Sequence, residues 1–162
     1  MPTILTTANF QDAVRAWVRN NSPRIHGVWP LKGGWEAWAQ AEICSVINTS
    51  QPTSSVLREQ AIYTDSGLRV DFLVNEATKT TPDQVIAIEM KCESLENAGQ
   101  FQDGLRGDAL KLETKLVGTA HAQCKRVLLG IFFSPQAKDN LAKWPGVNVE
   151  VVGDLGLAWH LY

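Results

Sequence analysis

Apolar residues first recur at helical spacing. Phe10, Ala13, Val14, Trp17 and Val18 predict an amphipathic helix over residues 10–20, capped by Asn9 and ended by Asn20-Asn21-Ser22-Pro23. The segment RIHGVWPLKGG reads as irregular. A second helix is predicted over residues 34–48, with Trp35, Trp38, Ala39, Glu42, Ile43, Val46 and Ile47 on one side and Glu36, Gln40 and Cys44 on another. The period then changes. VLREQAIYT, residues 67–74 and residues 85–91 read as three strands with short polar connections, and so as an antiparallel meander. Phe101, Leu105, Ala109, Leu112 and Leu116 restore helical spacing between about 95 and 116, and three glycines place the helix start between 97 and 101. RVLLGIFF is a continuous apolar run, as in a strand covered on both faces; following a helix, it predicts a crossover to a parallel neighbour. A short helix from Ser134-Pro135 and the strands VNVEVV and LAWHLY complete the chain. The expectation is one α/β domain over residues 1–162: a helical extension (1–33), a core (34–133), and a C-terminal helix with strands (134–162).

Composition changes this picture little. The 162 residues carry a net charge of −2, so any phosphate-binding surface must be local. Three cysteines without paired CxxC spacing argue against a disulfide framework or a zinc knuckle. No apolar run approaches the roughly 20 residues of a membrane helix, and no membrane partner is expected. The N-terminus lacks a basic and an apolar signal region, so a cytoplasmic location is expected, with signal-independent export left open.

The chemistry lies in GLRVDFLVNEATKTTPDQVIAIEMK, residues 67–91. Strand alternation puts Val85, Ala87, Glu89 and Lys91 on one face, with Glu89 and Lys91 roughly 7 Å apart. A hairpin that brings Asp71 beside Glu89 converges two carboxylates and an ammonium. Two close carboxylates repel unless a cation or proton stands between them. Mg²⁺ (or Mn²⁺) suits that place, with the Met90 backbone carbonyl as a further oxygen. Lys91 is then placed to hold or deprotonate a water, or to stabilise developing phosphate charge.

Asp71 in a strand, a polar turn and apolar-Glu89-Met90-Lys91 resemble the PD-(D/E)XK nuclease superfamily. WEAWAQAE, LREQAIY, LRVDFLV and IAIEMK follow that superfamily's order, α, three β, α, β; Gln100 and Asp108-Ala-Leu-Lys111-Leu112 resemble elements that several of its branches place after the lysine. Val70 stands where the motif has its variable proline. The resemblance implies a restriction-endonuclease-like fold, a mixed central sheet in αβββαβ order flanked by helices. It implies a divalent-metal-dependent (endo)nuclease that hydrolyses phosphodiester bonds, DNA favoured over RNA, by attack of a metal-bound water that leaves a 5′-phosphate. Asp71 and Glu89 would bind the metal and Lys91 would act on the water. A helix glutamate often completes such a site: Glu42 is the first choice, as an inward-facing carboxylate, and Glu36 the reserve. Gln100 would orient phosphate or water.

Plainer roles stand beside these. Asp71 fits an edge strand, Glu89 and Lys91 a solvated strand end, Glu42 the rim of its stripe, Gln100 a solvent-facing helix position, and Asp108–Lys111 an i, i+3 pair. Arg58 and Arg69 suit phosphate or a neighbouring glutamate. Arg106, Lys111, Lys115, Lys125 and Arg126 suit a nucleic-acid track or a charged helix face. The roles consistent with a nuclease are a toxin with an immunity protein, restriction or defence, or repair; a homodimer would suit cutting of both strands. The competing reading is a catalytically idle module that binds nucleic acid or a protein.

Overall fold

The computed structural model describes residues 4–51 and 53–162. Its first helix, α1, spans Thr7–Val28. Thr6 and Asn9 close a reciprocal capping box, so the helix starts before the expected Asn9. It also runs through Pro23 rather than stopping there. Pro23 removes one amide from the ladder, at the cost of the bond to the carbonyl of Arg19, an exposed residue. The stretch expected to be irregular is thus partly helical.

Helix α2 spans Glu36–Ser50, and strands β1 (Val56–Gln60), β2 (Val70–Val74) and β3 (Ile86–Cys92) follow it. Helix α3 (Phe101–Thr114) leads to β4 (Lys125–Phe132), then α4 (Pro135–Ala142), β5 (Asn148–Val152) and β6 (Leu155–Leu161). Ala61–Tyr63, expected to extend β1, lies outside it, and β2 begins three residues later than expected.

The sheet is mixed, six-stranded and ordered β1-β2-β3-β4-β6-β5. Strands β1, β2 and β3 form the expected antiparallel meander, and β3 pairs parallel to β4 across the α3 crossover. Helices cover both faces. α1 and α2 pack on Phe72, Val74, Ile86, Ile88, Met90, Val127 and Leu129. Leu105, Ala109 and Leu112 of α3 and Leu141 of α4 pack on Leu73, Ala87, Leu128 and Ala158. Strand alternation therefore turns Glu89 and Lys91 toward α3, the only side on which β3 carries charge.

Two anchors fix the end of β3. A turn through Gly33 (φ 86°) and Gly34 (φ 69°), a conformation that favours glycine, aims Trp35 inward. The Trp35 indole N–H donates to the Glu93 carbonyl at 2.8 Å and so sets the start of α2 over the strand end. Beyond β3, the fully buried Glu93 carboxylate accepts from Phe133 N (2.7 Å), Ser134 N (2.8 Å) and Ser134 Oγ (2.5 Å). This ties the strand to the start of α4. Glu93→Ala leaves two part-buried amides and a hydroxyl without their acceptor and is expected to destabilise the protein by about 3 kcal/mol in urea unfolding. A loss below about 0.5 kcal/mol, the range of ordinary surface changes, would contradict this placement.

Candidate active site

Strand β2 pairs with β3 only as far as Phe72↔Ile88. Continued along both strands, that register sets Asp71 across from Glu89. Where the ladder stops, carboxylates take over its donors. Asp71 Oδ2 accepts from Met90 N at 2.7 Å, and Glu36 Oε2 accepts from Cys92 N at 2.8 Å. Two strand amides that β2 leaves behind are thereby satisfied.

The side chains around them alternate in charge. Glu36 Oε1 lies 3.1 Å from Lys91 Nζ, which lies 3.4 Å from Asp108 Oδ2. Asp108 Oδ1 lies 2.7 Å from Lys111 Nζ, which lies 3.1 Å from Glu89 Oε2. The Tyr63 hydroxyl donates to Glu89 Oε1. Gly104 gives the Lys91 stem room: a Cβ there would lie 3.4 Å from Lys91 Cδ. The glycine that weakens α3 as a helix thus lets the strand lysine run beneath it.

Four carboxylates, Glu36, Asp71, Glu89 and Asp108, face two ammoniums, Lys91 and Lys111. Glu89 is 1% and Asp108 6% exposed, so water compensates little of the excess. Asp108 Oδ2 accepts no hydrogen bond, its approach to Lys91 being a contact of charges only. Burial, and then the charge of Asp71, push the Glu89 carboxyl up to about 8, against the opposing pull of Tyr63 and Lys111. Burial also raises Asp71 and Glu36. Burial pulls Lys91 down, but Glu36 and Asp108 outweigh it and hold the ammonium above its ordinary value.

Each residue expected at the site can now be placed. Asp71, Glu89 and Lys91 come together at one strand end. Met90 meets Asp71 through its amide N–H. Glu42 does not join them: it is partly exposed and pairs with Arg24 at 3.2 Å. The helix turns Glu36, Gln40 and Cys44 toward the strands instead, so the reserve glutamate is the one beside Lys91. Gln100 is exposed at the α3 N-cap, and its side chain makes no capping bond. Lys111, expected on a nucleic-acid surface, lies inside the cluster. Arg58 donates to buried Gln40 (2.8 Å), Arg69 folds back on Ser66 O (2.6 Å), and Arg106 stands over the Trp144 ring (5.8 Å). Tyr63, expected inside the first strand, lies beyond it and reaches Glu89. Asp108, expected in an i, i+3 pair with Lys111 or in the D-x-x-K-L stretch of the resemblance, is buried in the cluster.

The residues fit a hard divalent cation in donor chemistry, being carboxylate oxygens in surplus. Among the described residues no three acidic, thiol or imidazole groups are gathered as a ready ligand set, because the lysines stand between the carboxylates. No family model, curated protein or solved structure matches the chain.

The pH dependence of stability follows from Glu89. Between the ordinary carboxylate value and about 8, the folded protein holds a proton that the unfolded chain has released. The Glu89 contribution is therefore present at low pH and lost as pH rises through about 8. With a chelator present, the stability of wild type relative to Glu89→Gln is expected to fall by on the order of 4 kcal/mol from about pH 5 to pH 8.5. A difference that stays flat or grows over this range would contradict the raised value.

Proposed function

We propose that the chain is a divalent-metal-dependent nuclease with a restriction-endonuclease-like core. One observation carries the reading: Asp71, Glu89 and Lys91 meet at the end of β3, in a buried cluster with carboxylates in excess. The run α2–β1–β2–β3–α3–β4 supports it, being the α, three β, α, β order of the nucleases that the motif resembles. Asp71 and Glu89 would hold Mg²⁺ or Mn²⁺, with Glu36 completing the site in place of Glu42. When bound, the ion supplies an acidified water and polarises the phosphate.

The chain's own groups supply the rest. Lys91 stays charged because Glu36 and Asp108 hold it so; it serves by donating hydrogen bonds and stabilising negative charge rather than as a base. Glu36, 3.1 Å from Lys91 and raised by burial, would complete the metal site or accept the water's proton. The water oxygen would bond to phosphorus as the bond from phosphorus to the 3′ oxygen breaks; the 3′ oxygen takes up a proton from solvent and leaves as a hydroxyl, and a 5′-phosphate results. DNA is the favoured substrate, and a toxin, defence or repair setting suits a compact nuclease.

Plasmid and single-stranded DNA with Mg²⁺ or Mn²⁺ provide the test. Asp71→Asn and Lys91→Ala are expected to lose about 10²–10³-fold in rate, with Glu42→Ala close to wild type. Lys91→Arg retains the charge and should keep more activity than Lys91→Ala. No cleavage by wild type, or equal cleavage by wild type, Asp71→Asn and Lys91→Ala, would favour an idle binding module.

A further inference from the structure

The cluster contains one contact that a metal site has no need of. Lys111 Nζ sits 3.1 Å from Glu89 Oε2, on a carboxylate that the nuclease reading assigns to the cation. Its position is built rather than incidental. Lys111 is one turn from Asp108 on α3 and bonded to it at 2.7 Å, and Asp108 is itself 6% exposed. The Lys111 side chain is only 26% exposed. Beside it, Tyr63 takes the other Glu89 oxygen, so an arriving cation meets Glu89 with both oxygens already engaged. An ammonium and a divalent ion both seek such an oxygen, and at a few ångströms they repel.

We propose that Lys111 is the site's resident counter-cation: it neutralises Glu89 while no divalent ion is bound, and the ion displaces it from that oxygen. The proposal rests on the nuclease reading of Asp71 and Glu89. Lys111 is a positioning residue here, acting through Glu89. Asp108 keeps the displaced ammonium at the site, because the α3 pair does not depend on Glu89. Such a lysine keeps the acidic cluster folded without metal and sets how much divalent ion is needed to fill it.

The sign of one change separates this from an ordinary supporting role. Loss of a supporting residue weakens ion binding; loss of a competing cation strengthens it. Mg²⁺ binding to the folded protein is measured by calorimetry, with wild type and variants in the same buffer. Lys111→Met, close in size and uncharged, should bind Mg²⁺ about tenfold more tightly than wild type, equivalent to about 1.4 kcal/mol. Its melting temperature should be lower in chelator and rise more steeply with Mg²⁺. Lys111→Arg, which keeps the charge, should stay near wild type. In the wild-type protein the NMR signals of the Lys111 ε-methylene should move with Mg²⁺ while those of Lys79, paired with Glu76 in the turn after β2, do not; this settles the question even if Lys111→Met fails to fold. Equal or weaker Mg²⁺ binding by folded Lys111→Met, or an unmoved Lys111 signal, overturns the exchange while leaving the metal reading intact. No Mg²⁺ binding by wild type, or binding unchanged in Asp71→Asn, overturns the metal reading and the exchange with it.

Discussion

Unbalanced negative charge at the end of β3 is the constraint on which the rest depends. A carboxylate drawn largely out of water must find a proton, a cation or several hydrogen bonds. Here four share the space with two lysines, and each available means is in use. Asp71 and Glu36 take strand amides, Glu89 takes a tyrosine hydroxyl and a lysine, and Asp108 bridges both lysines. Desolvation still leaves Glu89 with a strong hold on a proton. Ion pairs at such depth are weak evidence for stability, since apolar side chains of similar volume often do as well.

The fold serves this arrangement by what it withholds. If β2 continued alongside β3, Met90 and Cys92 would have ordinary strand partners and no carboxylates would be drawn in. The early departure of β2, the Gly33-Gly34 turn and the Trp35–Glu93 bond together bring Glu36 to the vacated edge. The crossover then lays α3 over the same edge, where Asp108 and Lys111, three residues apart, both reach inward.

Much of this was legible in the residues, for physical reasons. Period-2 alternation in VIAIEMK put Glu89 and Lys91 on one face, and the apolar run RVLLGIFF announced a covered parallel strand. Helix faces were harder. Glu42 shares the tryptophan stripe, so spacing alone recommended it, yet α2 carries it to Arg24 and turns Glu36 inward. The difference lies in how the helix is seated, which a long-range indole-to-carbonyl bond fixes. Pro23 reads as a stop by the local rule, which counts the lost amide alone, yet the 22-residue helix runs through it. Tyr63 gave no local signal, because its partner lies 26 residues away.

Under the proposed function a divalent ion would sit between Asp71 and Glu89. A crystal soaked in Mn²⁺ and measured at the manganese absorption edge tests it most directly. The account predicts an anomalous peak in contact with carboxylate oxygens of both residues. Its absence there in a crystal whose Mn²⁺ occupies other sites, or a peak that persists in Asp71→Asn, would contradict it.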